Sequence, residues 1–102
     1  MSSMRPTADA LQDASVANLG SGSLQILPVD VNRKYLMIHN QSAVSQGVNP
    51  TGASALVGRA GTVTLVSNGS LTYEGTWVPT NAFQAQGTSG AGGLTIIVGT
   101  TQ

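Results

Sequence analysis

From residue 14 onward, apolar and polar positions alternate in short runs that Gly, Pro, Asn and Ser break at close intervals. Alternation with a period of two is the pattern of half-buried strands. Residues 15–19 and 23–27 form the first two runs, and Leu24 and Ile26 are expected to share one side. Residues 35–40 are the one nearly continuous apolar run in the first half, which predicts a central strand. Its alternation puts Leu36 and Ile38 on the core side and Tyr35, Met37 and His39 on the other. A strand apolar on both sides needs cover on both, so the second face is expected to lie under an N-terminal arm or another subunit. Residues 46–50 read as a short edge strand and 51–55 as a flexible loop.

Residues 61–75 carry the strongest local signal, two β-prone runs flanking Asn68-Gly69. A two-residue loop would mix polar and apolar side chains on each face. A three-residue loop at Ser67-Asn68-Gly69 instead sets Val63 and Leu65 opposite Tyr73 and Leu71, and that hairpin register is predicted, with Gly69 in the left-handed region. Residues 82–86 follow with Phe83 and Ala85 inward. A Gly-rich hairpin loop at 87–93 then leads to residues 94–98, with Leu94, Ile96 and Val98 inward. The pattern predicts one small all-β domain at 14–102, a β-sandwich or jelly roll of seven or eight short antiparallel strands.

Residues 1–13 lack this pattern. Thr7 could cap a short helix reaching Gln12, but so few residues seldom hold a helix unaided. An extended N-terminal arm is expected, with no strand before Ala14. Leu11 and the Met residues are its main apolar area, so it should order against a partner chain.

Composition narrows the function more than the fold. The 102 residues carry no net charge, only 8% are charged, and there is no cysteine. Arg5, Arg33, Lys34 and Arg59 form no basic stripe, so nucleic acid is not an expected partner. Nor is a membrane, because no run approaches the roughly 18 apolar residues of a span and the start has no signal-peptide core. The reading is a soluble, unexported chain.

Candidate chemistry is sparse. His39, the single histidine, sits within a strand and is read as a packing or interface residue. No serine lies in a Gly-x-Ser-x-Gly turn, and Asp9, Asp13, Asp30 and Glu74 do not pair in an apolar setting. No catalytic residue, metal ligand or cofactor site is expected, and an enzyme is the least expected class. Trp77, the single tryptophan, is expected at the sheet edge as a cap on the core or an interface anchor.

The stretches 35–58 and 75–102 contain no Asp, Glu, Lys or Arg. Monomeric sheets guard their edges with charge, so a chain without it is expected to have its edges occupied in a permanent assembly. Leu11, Tyr35, Met37, His39 and Trp77 are the candidate interface residues.

The string Leu27-Pro28-Val29-Asp30-Val31-Asn32-Arg33-Lys34-Tyr35-Leu36-Met37-Ile38-His39-Asn40-Gln41-Ser42 resembles a group of small tailed-bacteriophage virion proteins, which share an Asn-Arg-Lys/Arg turn feeding an apolar strand that ends in Asn. The likeness continues through residues 67–73, Val78-Pro79-Thr80-Asn81-Ala82 and residues 94–98, and so spans about residues 14–98. The resemblance implies a structural protein of the virion, first a capsid decoration or cement protein bound to the major capsid protein lattice. It would be made in the host cytoplasm and self-associate, with a trimer as the expected homo-oligomer. Alternatives are a head-tail connector or fibre-associated component and, from a different class, a receptor- or glycan-binding module using Trp77, Tyr73 and Tyr35 as stacking surfaces.

Overall fold

The computed structural model describes residues 10–20, 22–75, 77–87 and 92–101. Eight strands run in the order β1 (Ala10–Asp13), β2 (Leu24–Leu27), β3 (Arg33–Asn40), β4 (Gln46–Asn49), β5 (Val63–Leu65), β6 (Ser70–Tyr73), β7 (Phe83–Gln86) and β8 (Leu94–Thr100). They form two antiparallel four-stranded sheets, sheet A ordered β1-β8-β3-β6 and sheet B ordered β2-β7-β4-β5. Only β4 and β5 are consecutive strands in the same sheet; every other connection crosses between sheets. This is the jelly-roll form of a β-sandwich.

The inner faces follow the alternation. Leu36, Ile38, Phe83, Ala85, Leu94, Ile96 and Val98 are all buried as expected and form one cluster with Leu19, Ile26, Leu27, Val48 and Leu65. Two irregularities bend the pattern. In β2 the register against β7 shifts between Gln25 and Leu27, so Ile26 and Leu27 are both buried while Leu24 is exposed, and the predicted shared side of Leu24 and Ile26 is lost. In β3 the register against β8 shifts between Arg33 and Tyr35. The extra residue, Lys34, reverses the alternation and turns Arg33 to the inner side, where it is 1% exposed.

Residues 10–13 correct the expectation that no strand begins before Ala14: β1 pairs with the outer edge of β8 from Ala10↔Thr100 to Asp13↔Ile97. Ala10 to Gln12 are thus strand rather than the end of a short helix, and residues 1–9 lie outside the described residues. The next residues keep to β8 through backbone bonds from Ala14 to Ile96 and from Val16 to Leu94, with an isolated bridge at Val16 in place of the strand expected at 15–19.

The predicted hairpin at 61–75 does not form. β5 pairs with β4 in sheet B and β6 with β3 in sheet A, so Val63 and Leu65 do not lie opposite Tyr73 and Leu71. The turn between them carries the chain from one sheet to the other. Gly69 N–H donates to Val66 O at 2.7 Å, and Asn68, not Gly69, takes the left-handed conformation at φ 65°. Positive φ at the third residue is the type II form, which Asn tolerates. Gly69 relieves crowding in the turn, since a Cβ there would stand 3.0 Å from Val66 O.

Asn40 fixes this crossover from the end of β3. Its Nδ2 donates to Val44 O, Leu65 O and Val66 O at 2.8, 2.8 and 3.1 Å, while Oδ1 accepts from the N–H and hydroxyl of Ser42. A fully buried amide is thereby satisfied at both ends. The loop at 87–93 likewise joins different sheets, because β7 belongs to sheet B and β8 to sheet A; residues 88–91 lie outside the described residues. It is a crossover and not the expected hairpin.

β4 is central, between β7 and β5, and not the expected edge strand. All four of its residues are buried. Gln46 and Val48 face the core side, and the Gly47 and Asn49 side is covered by the loop at 50–62. Asn49 Nδ2 donates to Ser54 O and its Oδ1 accepts from Thr51, while Gln84 Nε2 reaches Gly52 O and Gln86 Oε1 accepts from Val57 N–H. The loop predicted to be flexible is tied down along the outer face of sheet B.

Candidate functional site

The outer face of sheet A has no such cover among the described residues. Register sets its side chains in cross-strand rows: Leu11, Gly99 and Tyr35 in one, Asp13, Ile97, Met37 and Thr72 in the next, and Thr95, His39 and Ser70 in the third. Four of the five candidate interface residues, Leu11, Tyr35, Met37 and His39, therefore lie on a single face. Leu11 is 67% exposed, while Tyr35, Met37 and His39 are half-buried by their neighbours. Gly99, between Leu11 and Tyr35 in the first row, is itself buried.

The face is nearly without charge. Asp13 is the carboxylate within these rows, and the hydroxyl and N–H of Ser15 hold it below the usual carboxylate range. His39 Nδ1 lies 2.8 Å from Ser70 Oγ. Apolar side chains mixed with hydroxyls, and one carboxylate, suit a flat packing contact more than chemistry. Among the described residues no group of three His, Cys, Asp or Glu side chains could hold a metal ion, and no helix is long and apolar enough to cross a membrane.

Charge is missing at the sheet edges as well. The edge strands are β1 and β6 in sheet A and β2 and β5 in sheet B, and of these only β1 contains a charged residue, Asp13. Leu24 on β2 and Val63 on β5 are exposed. Uncharged edges leave rows of backbone N–H and C=O groups available to another chain.

Trp77 stands apart from this face, 68% exposed in the connection between β6 and β7. Its ring meets Tyr73 edge-on at 5.8 Å and 75°, and Tyr73 meets Phe83 edge-on at 6.1 Å and 84°. A cleft of about 320 Å³ opens here, lined by Pro50, Thr51, Tyr73, Trp77, Pro79 and Asn81. Burial pushes the Tyr73 hydroxyl above its usual range.

Arg33 builds the cleft wall from beneath. Its guanidinium donates to Pro79 O at 2.8 Å, Asn81 O at 3.0 Å and Pro28 O at 2.7 Å, and it lies 5.5 Å from the centre of the Phe83 ring. Burial lowers its pKa and nearby Asp30 opposes that shift. The sequence shows Arg33 only as one of four basic residues that form no stripe, with no sign of its burial. Only the bulge at Lys34 brings it inside, and a bulge leaves no mark in the alternation until the partner strand is known.

No family model, curated protein or solved structure matches the chain.

Proposed function

We propose that the chain is a structural protein of a tailed-bacteriophage virion, a capsid decoration or cement protein that seats the outer face of sheet A on the major capsid protein lattice and self-associates, with a trimer as the expected state. The observation that supports the reading is the contrast in cover: the chain's own loop closes the outer face of sheet B, while no loop among the described residues covers the Leu11, Tyr35, Met37 and His39 face. Three edge strands without charge point the same way. Jelly rolls recur in viral capsid and lectin domains, which raises the prior by analogy of fold alone.

The test has two arms. Mass spectrometry of purified particles of the phage that encodes the chain should find it in hundreds of copies, on the order expected of a repeating shell site. A dozen or fewer copies would move it to the head-tail junction or a fibre, and absence from the particle would end the virion reading. In the second arm, Met37→Glu should stay folded as an isolated domain yet lose retention on capsids stripped of the native protein. Undiminished retention would remove sheet A as the contact face.

A further inference from the structure

The cleft beside Trp77 does not belong to the open face of sheet A, since none of Leu11, Tyr35, Met37 or His39 lines it. Its walls are fixed by bonds that a mere surface depression would not need. Arg33 holds the carbonyls of Pro79 and Asn81, Asn81 Nδ2 donates to Pro50 O and Ala82 O, and Asn49 Oδ1 accepts from the N–H and hydroxyl of Thr51. Five of the six lining residues are thus set by the buried framework or, at Tyr73, by Phe83. The sixth, Trp77, presents an indole that is 68% exposed and braced edge-on by Tyr73. A tryptophan capping the core would be buried. This one is held with its ring available.

The unused polar atoms define what can sit there. The Tyr73 hydroxyl, Trp77 Nε1–H and Asn81 Oδ1 take part in no hydrogen bond with a described residue, while the donors of Asn81 are already committed. The site therefore offers a donor at Trp77, an acceptor at Asn81 and a hydroxyl that can serve as either. No lining side chain is charged, so an ionic ligand would shed its hydration without a counter-charge. The volume lies near the small end of the roughly 300–1,000 Å³ typical of ligand pockets. A flat apolar face for the indole, flanked by neutral hydroxyls, is the chemistry of a pyranose. A polyproline peptide needs successive aromatic slots along a groove, and only Trp77 is exposed here.

We propose that this cleft binds the uncharged end of a saccharide, its C–H face on the Trp77 indole and its hydroxyls paired with Tyr73 Oη and Asn81 Oδ1. The site is independent of how the domain is held on a particle. Its failure would leave the shell reading as it stands, and failure of the shell reading would leave this site.

Because Trp77 is the only tryptophan, its fluorescence reports occupancy directly. The full chain is screened on a glycan array and then titrated with glucose, galactose, N-acetylglucosamine, lactose and cellobiose, with sialyllactose and a polyproline peptide as contrasts. A saturable change with at least one neutral saccharide is the expected result. Calorimetry should then show about tenfold or greater loss for Trp77→Ala, near-complete rescue in Trp77→Phe and several-fold loss for Tyr73→Phe, all with an unchanged circular dichroism spectrum. No neutral saccharide bound in either format, binding by polyproline alone, or affinity unaltered in Trp77→Ala would each overturn the proposal.

Discussion

The outer faces of the two sheets meet solvent in opposite ways. On sheet B, the loop at 50–62 lies over Gly47, Asn49, Gln84 and Gln86, and polar side chains on the strands bond to the loop's backbone. On sheet A, Tyr35, Met37, Ile97 and Leu11 share a face with small hydroxyl residues, and no described loop crosses it. The sealed face uses amides because a loop brings carbonyls and N–H groups that need partners. The open face uses mainly apolar and hydroxyl side chains, which can be covered later at little electrostatic cost away from Asp13. One sheet is closed by a described loop, and the other has no cover among the described residues.

The difference predicts how neighbouring residues on one strand should behave. On β3, Ile38→Ala should cost the isolated domain about 2 to 5 kcal/mol, because the residue is fully buried. Met37→Ala, next to it on the open face, should cost under about 1 kcal/mol. On β4 both faces are closed, so Val48→Ala and Asn49→Ala should each cost roughly 2 to 3 kcal/mol, the second through the unpaired groups it leaves at Thr51 and Ser54. Urea denaturation of the four variants checks the pattern. A Met37→Ala loss equal to that of Ile38→Ala would mean that sheet A is covered within the monomer after all.

A smaller effect probes the seal itself. A Cβ at Gly47 would stand 2.7 Å from Thr62 Cγ2 and 3.1 Å from Val57 Cγ2, so this glycine is what lets the loop lie close. Gly47→Val should push the loop outward at a cost of about 1 to 3 kcal/mol, and the amides of Val57 and Ala55 should exchange hydrogen faster. Unchanged exchange there would show that the loop is not held by its contact with β4.

What could be read from the sequence divides along the same line as the faces. Strand positions and inward residues were legible because alternation is a local property: Leu36 and Ile38, Phe83 and Ala85, and Leu94, Ile96 and Val98 all face the core. Partners were not legible. The Asn68-Gly69 pair marks a turn, but a turn that reverses the chain within a sheet and one that carries it to the other sheet use the same residues. Asn40, whose amide ties both sides of that crossover, looks like any polar residue at a strand end. For the candidate site, Leu11 from the arm and Tyr35, Met37 and His39 from the second face of the central strand share one sheet face because β1 extends sheet A. Arg33 and the cleft it supports depend on a bulge and on contacts between residues 46 and 48 positions apart. Such distances lie beyond any periodicity.

The smallest expected effect uses the two tyrosines, which sheet A points in opposite directions. Tyr35 is on the open face, whereas Tyr73 packs inward between Phe83 and Trp77, where burial raises its pKa. In Tyr35→Phe only Tyr73 remains to titrate, and its phenolate absorbance should appear above the usual value of about 10. A folded pKa above the unfolded one means that the contribution of neutral Tyr73 to stability is fully present below about pH 10 and is lost as pH rises through the folded value. Tyr35→Phe should therefore lose stability in that alkaline window, and Tyr35→Phe/Tyr73→Phe should lose less. Adding Trp77→Ala to Tyr35→Phe removes the ring that shields one side of Tyr73 and should bring its titration back toward about 10. A Tyr73 that titrates at its ordinary value, or one indifferent to loss of Trp77, would show that the indole leaves the hydroxyl open to water and would weaken the contrast between the two sides of sheet A.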